Sequence, residues 1–153
     1  MNPKYRLEES VGYLVNLAAR LAVRALERRL AGGSSGPMPV FIALFRGGTL
    51  SQSALARWAS VEQPTMANTL NRMERDGLIE RTPDPSDGRS ALVALTELGR
   101  QRANEALTSG LDVTELALSD LDPAEREAFY ALLQRVIRNL EADGEESGPP
   151  QSQ

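Results

Sequence analysis

The chain has 153 residues, 41% of them hydrophobic and 25% charged, enough for one well-packed core and cramped for a second independent one. It contains no cysteine and no histidine, which removes thiol redox sensing, disulfides, Cys/His zinc sites, cysteine nucleophiles and histidine general bases together. A net charge of −4 and a pI near 5.0 argue against a broad basic surface, so any nucleic-acid contact must come from locally placed cations, nearly all arginine because Lys4 is the sole lysine.

In chain order, Met1-Asn2-Pro3-Lys4-Tyr5-Arg6 runs into polar Glu8-Glu9-Ser10 without the apolar core and cleavage site of a secretory signal, and no later apolar run is long enough to span a bilayer. A cytoplasmic chain with no membrane partner is expected. Residues 7–31 place Leu7, Val11, Leu14, Ala18, Leu21, Ala25 and Leu26 at steps of three and four. That spacing predicts a long first helix, stopped by Gly32-Gly33-Ser34-Ser35-Gly36-Pro37. Residues 40–45 are a short apolar stretch, read as a helix with Pro39 in its first turn; a buried strand is the competing reading. Ser51 is placed to cap a short helix carrying Leu55, Ala56 and Ala59. After Ser60-Val61 a second helix runs from Glu62 to Asp76 and ends at Gly77.

Residues 78–82 and 91–95, on either side of Pro83-Asp84-Pro85-Ser86-Asp87-Gly88, predict a β-hairpin. Thr96 is placed to cap a third long helix toward Leu118. Asp122-Pro123-Ala124-Glu125 then starts a last helix whose apolar stripe is Phe129, Leu132, Leu133, Val136, Ile137 and Leu140. Residues 143–153 have no apolar anchor and are expected to be a disordered tail. The fold class is mainly α with a small β-hairpin. Residues 7–142 are read as one unit, with a middle part at 38–96 and flanking helical parts at 7–31 and 97–141. Segments 7–31 and 123–141 carry more apolar stripe than so small a body can bury, which implies a homodimer.

The helix at 62–76 points Met66, Leu70 and Met73 to one face and Gln63, Thr65, Asn68, Asn71, Arg72 and Arg75 to the other. Asn and Thr are mediocre helix formers, an odd choice for a merely solvated face. They are groups that read base edges: an amide pairs with adenine, a threonine offers hydroxyl and methyl, and arginine reaches guanine or phosphate. Pro64 stiffens the first turn. An ordinary polar surface helix is the bland alternative. It loses ground because a short helix precedes this one by a tight turn and a hairpin follows, the layout of a winged helix-turn-helix at 51–96. At the hairpin, Asp87-Gly88-Arg89 places an arginine at the apex with Asp87 behind it to orient the guanidinium toward a minor groove, against a plain Asp-stabilised turn.

The run Leu50-Ser51-Gln52-Ser53-Ala54-Leu55-Ala56, Val61-Glu62-Gln63-Pro64-Thr65-Met66, Leu70-Asn71-Arg72-Met73-Glu74-Arg75-Asp76-Gly77-Leu78-Ile79-Glu80-Arg81, Asp84-Pro85-Ser86-Asp87-Gly88-Arg89 and Leu95-Thr96-Glu97-Leu98-Gly99 resembles the MarR (multiple antibiotic resistance regulator) transcription factors. The resemblance implies a homodimeric repressor on a pseudo-palindromic operator in double-stranded DNA, released when a small aromatic anion fills a pocket beside the dimer helices. By position it implies DNA contacts from Gln63, Pro64, Thr65, Asn68 and Arg72, and a wing contact from Arg89 oriented by Asp87. Asn68 stands where relatives often have arginine, Gly88 where a second wing arginine is common, and Ser60 where glycine is common. Ser60 argues for a turn without a positive φ. For the ligand, Arg20 matches a carboxylate-binding position in some relatives, and Tyr13, Phe41 and Phe45 are candidates to line an apolar cleft, with core and interface packing as their bland reading.

No catalytic residue, metal or cofactor is expected: there is no glycine-rich phosphate loop, and Glu8-Glu9 and Glu145-Glu146 read as solvated charge. The alternative to a DNA-binding regulator is a winged-helix protein-interaction module, which the acidic pI also suits.

Overall fold

The computed structural model describes residues 6–146. The order of elements is α1 (Val11–Glu27), α2 (Met38–Gly47), β1 (Thr49–Ser51), α3 (Gln52–Trp58), α4 (Gln63–Arg75), β2 (Ile79–Asp84), β3 (Asp87–Leu95), α5 (Glu97–Ala117) and α6 (Pro123–Glu146). Two compact units divide near the C-terminal end of α5, one up to Thr114 and one from Glu115 onward.

The first helix starts later than its apolar spacing suggests. Leu7–Glu9 is a separate 3-10 turn, and Ser10, with extended backbone, caps α1 by accepting a hydrogen bond from Tyr13 N at 3.3 Å. It also ends before residue 31. Arg29 Nη1 donates to Ala25 O at 2.7 Å, and Ser35 Oγ donates to Glu27 Oε1 at 2.9 Å, which folds the Gly-Ser loop back on the helix end. Residues 40–45 are helical, with Pro39 in the first turn of α2, so the strand alternative falls.

Ser51 caps α3, accepting from Ala54 N at 3.2 Å. It also ends a strand that the sequence does not announce: β1 is three residues long, too short for alternation to register. It pairs antiparallel with β3, and the sheet order is β1-β3-β2.

The turn between α3 and α4 overturns the expectation for Ser60, whose φ is +51°. Val61 N donates to Ala56 O at 3.0 Å and Ser60 N to Arg57 O at 3.1 Å, the Schellman closure that needs a left-handed residue at this position. Helix α4 closes the same way at Gly77, φ +72°, with Leu78 N to Met73 O at 2.8 Å and Gly77 N to Glu74 O at 3.0 Å. Hydrogen-bond closure dictates φ at Ser60, and the side chain accepts the strain.

The hairpin is also tighter than expected. Its strands run on to Asp84 and Asp87, which face each other, so the apex is Pro85-Ser86. Pro83 pairs with Ala91, so Gly88, Arg89 and Ser90 fall in an irregularity of β3. Residues 143–146, expected in a disordered tail, belong to α6 instead. The remainder of that predicted tail lies outside the described residues.

In the first unit, Val40, Leu55, Leu70, Met73 and Val93 are essentially inaccessible and hold α2, α3, α4 and the sheet around one apolar core. Ala25 and Leu26 of α1 meet Val113 of α5 in a smaller cluster. The start of α5 is bolted to the end of α4. Thr96 Oγ1 donates to Gly77 O at 2.6 Å and accepts from Gly99 N at 3.0 Å, and Thr96 N donates to Leu78 O at 3.1 Å. Gly99 permits the approach, because a Cβ there would stand 1.9 Å from Leu78 O. In the second unit, Asp122 and Glu125 form a reciprocal capping box, both bonds 2.9 Å, as the sequence predicts. Arg126 ties the unit's turn together by donating to Leu118 O, Leu121 O and Glu115 Oε2.

Candidate nucleic-acid interface and ligand cavity

Helix α4 turns its polar face outward because Met66, Leu70 and Met73, spaced four and three apart, are buried beneath it. Thr65, Asn68 and Arg72 are exposed on that face and, with Thr69 and Asn71, line a shallow concavity. Gln63 and Pro64 are exposed in the first turn of α4. Gln63 Oε1 accepts from Gln52 Nε2 of α3 at 3.4 Å, which links the two helices of the motif at their N-terminal ends.

Two residues of the expected outer face are engaged with the protein. Arg75 Nε bonds Asp76 Oδ1 at 3.0 Å. Asn71 Oδ1 accepts from Arg81 Nη2 at 2.9 Å, while Arg81 Nη1 pairs with Glu74 Oε2. Sequence reasoning passed over Arg81 because its partners are seven and ten residues away, across the helix-to-strand turn.

On the wing, Arg89 belongs to β3 by its backbone rather than to the apex, and its side chain lies outside the described residues. Asp87 is exposed and opens β3 opposite Asp84. Asp84, which the sequence reading did not single out, also orders the apex. Its Oδ1 accepts from Ser86 Oγ at 2.6 Å and from Ser86 N at 2.8 Å. Those bonds, the side-chain one first, hold its carboxyl below the ordinary aspartate range.

A cavity of about 550 Å³ lies in the first unit between the α1–α2 loop, α2 and the first turns of α5. Leu30, Met38, Phe41 and Leu98 give it an apolar wall, Arg29 and Arg102 bring two guanidinium groups to it, and Asp76 and Glu105 add two carboxylates. Arg102 Nη1 pairs with Glu105 Oε2 at 3.0 Å. Of the four ligand candidates only Phe41 lines this cavity; Tyr13, Arg20 and Phe45 are exposed elsewhere. The cavity's arginines were missed because no short spacing links residue 29 to residue 102; the tertiary fold alone brings them together. Leu78, which follows the α4 closure, is also on the lining, so cavity and recognition helix share the Thr96 joint. Among the described residues no group of three or more acidic side chains is placed to hold a metal ion, and no helix is long and apolar enough to cross a membrane.

A helix-turn-helix whose second helix shows amides and hydroxyls outward, followed by a β-hairpin wing, defines a winged-helix DNA-binding regulator. Comparison with known proteins agrees. Residues 42–91 match the family model described as MarR family. The chain is 30% identical over 104 residues to the HTH-type transcriptional regulator YybA of Bacillus subtilis, covering 68% of this chain and 69% of that one. It is 28% identical over 145 residues to the HTH-type transcriptional repressor NicR of Pseudomonas putida, 94% and 92% of the two chains. A solved structure of Bordetella bronchiseptica BpsR, from work on regulation of its DNA binding by 6-hydroxynicotinic acid, superposes with a TM-score of 0.78 at 27% identity over 86% and 96% of the chains. The chain belongs to the MarR family of winged helix-turn-helix transcriptional regulators.

Proposed function

We propose that this chain is a cytoplasmic homodimeric repressor. It grips a pseudo-palindromic operator through α4 and the wing and releases it when a small aromatic anion enters the cavity. The observation that carries the reading is the outward face of α4. Thr65 and Asn68 stand exposed on a helix whose opposite face is locked into the core, and the motif's turn is closed on both sides. Gln63, Pro64, Thr65, Asn68 and Arg72 are the proposed groove contacts, and Arg89 with Asp87 the proposed wing contact. The protein acts by binding and not by catalysis.

Dimerisation is supported by the apolar residues that α1 and α6 leave in solvent, among them Val11, Leu14 and Leu21 on α1 and Leu132, Ile137 and Leu140 on α6. A two-fold dimer sets the two recognition helices about one helical turn of DNA apart, roughly 34–36 Å. The effector class is supported by the cavity, where arginines beside an apolar wall suit a carboxylate on an aromatic ring, and by 6-hydroxynicotinic acid, the aromatic acid that regulates DNA binding of BpsR.

The test is an anisotropy titration of the DNA flanking the gene, with competitor DNA and physiological salt. A saturable, salt-dependent complex is expected. Arg89→Ala should weaken binding to every sequence, whereas Asn68→Ala should change preference at one base pair. Aromatic carboxylates should release the complex, and Arg102→Met should blunt that release. Absence of a saturable complex would leave the protein-interaction module as the surviving reading.

A further inference from the structure

We propose that Arg81 is a positioning residue that makes Asn71 a specificity-determining reader with its amide hydrogens outward. The inference rests on the operator-binding reading above. A guanidinium carries only donors, so the Asn71 atom at 2.9 Å from Arg81 Nη2 is the carbonyl oxygen and the amide orientation is fixed by chemistry. The other arm of the same guanidinium holds Glu74, one helical turn further along α4. A planar fork with both arms engaged fixes the rotation of α4 about its axis against β2 as well as the distance between them. Arg81 is the less exposed partner, its side chain 27% accessible against 41% for Glu74, so this brace is shielded more than an ordinary surface pair.

With Oδ1 held toward the strand, Asn71 has no other protein partner among the described residues, and its Nδ2 hydrogens remain available. Asn71 lines the same shallow concavity as Thr65, Asn68 and Arg72, and stands one turn from Asn68 on α4. An amide free to turn pairs with adenine through its donor and acceptor together. An amide tethered by its oxygen offers donors, and the base edge with two acceptors in the major groove is guanine, through O6 and N7. The brace therefore sets which base this position of the helix prefers, and Arg81 does so without touching DNA.

The experiment is selection from a randomised duplex pool with the full-length chain, followed by salt titration on the selected site. For the wild type, a preference for guanine of about tenfold is expected at one position per half-site. Arg81→Met, Asn71→Ala and the double variant should all lose that preference to the same level while preferences at other positions persist. The salt dependence of Arg81→Met should match that of the wild type. Asn71→Ala changes an exposed helix position and keeps the test valid should Arg81→Met unfold. Uniform loss of affinity with a salt slope lower by about one would make Arg81 a phosphate contact and overturn the proposal. Guanine preference that survives Arg81→Met or Asn71→Ala would overturn it as well. Failure of the wild-type chain to select any sequence would instead sink the operator-binding reading, and this inference with it.

Discussion

The joint between α4 and α5 makes a sharp prediction at Gly99. Glycine in a helix is ordinarily worth replacing, since alanine there gains about 0.5–1 kcal/mol. At Gly99 the sign reverses. An alanine Cβ would stand 1.9 Å from Leu78 O and 2.9 Å from Leu78 C, and both are backbone atoms that no rotamer change can move aside. Restoring an ordinary carbon-to-oxygen contact of about 3.3 Å requires a backbone displacement of roughly 1.4 Å. That displacement acts on the carbonyl that accepts from Thr96 N at 3.1 Å, and on the residue next to Gly77, whose carbonyl accepts from Thr96 Oγ1 at 2.6 Å. Overpacking ordinarily costs about 1–3 kcal/mol, and a backbone clash with two hydrogen bonds at risk belongs at the upper end. After the gain in helix propensity, Gly99→Ala should destabilise by about 2 kcal/mol, a fall in Tm of roughly 4–8 °C for a chain of this size. Thermal unfolding of both proteins at one protomer concentration measures it, because melting of a dimer depends on concentration. A Tm equal to or above that of the wild type would refute the claim that the joint is closed at van der Waals contact.

Ser60→Gly should move stability the other way: relief of a left-handed serine, worth about 1–2 kcal/mol, exceeds the added freedom of the unfolded chain, and Tm should rise by about 2–4 °C. Asp84→Asn should loosen the wing apex at neutral pH and leave it little altered in acid. The wild-type carboxyl has a lowered pKa, so its contribution is full above the ordinary aspartate range and is lost as pH falls through the depressed value; amide exchange at Ser86 N against pH reads this directly. Leu132→Glu combined with Ile137→Glu on α6 should give a monomer by sedimentation and lower operator affinity by tenfold or more, since one half-site cannot replace two.

What was legible in the sequence tracks what local chemistry controls. Ser51 capping α3, Thr96 capping α5, the reciprocal Asp122-Glu125 box and the closure at Gly77 each depend on residues within a turn of one another, and each forms as read. The buried stripe of Met66, Leu70 and Met73 was equally plain, because a helix repeats its apolar face within its own length. Errors arise in two ways. β1 exists because a distant partner, β3, lies beside it. The others are local, where a hydrogen bond overrides what residue type or apolar spacing suggests: Ser60 takes a positive φ because two carbonyls of α3 need closing. The first helix begins at Val11 because the Ser10 hydroxyl finds Tyr13 N, against an apolar pattern that reaches back to Leu7.

The same distinction separates two kinds of residue on the recognition helix. Thr65 and Asn68 can be singled out from sequence, since exposure on the face opposite a buried stripe follows from spacing alone. Asn71 shares that face by spacing, yet what it can offer a base depends on Arg81, ten residues later on another element. Likewise the cavity's cations, Arg29 and Arg102, come from helix ends that only the packed fold brings together, while Arg20, the residue suggested by position in the family, stands exposed on α1. A change at Leu78 or Thr96 therefore touches cavity and recognition helix at once, because both residues sit where α4 is fastened to α5. For the proposed effector, the joint gives the shortest physical connection: Leu78 lines the cavity, and the carbonyls of Gly77 and Leu78, which hold Thr96, lie at the end of α4.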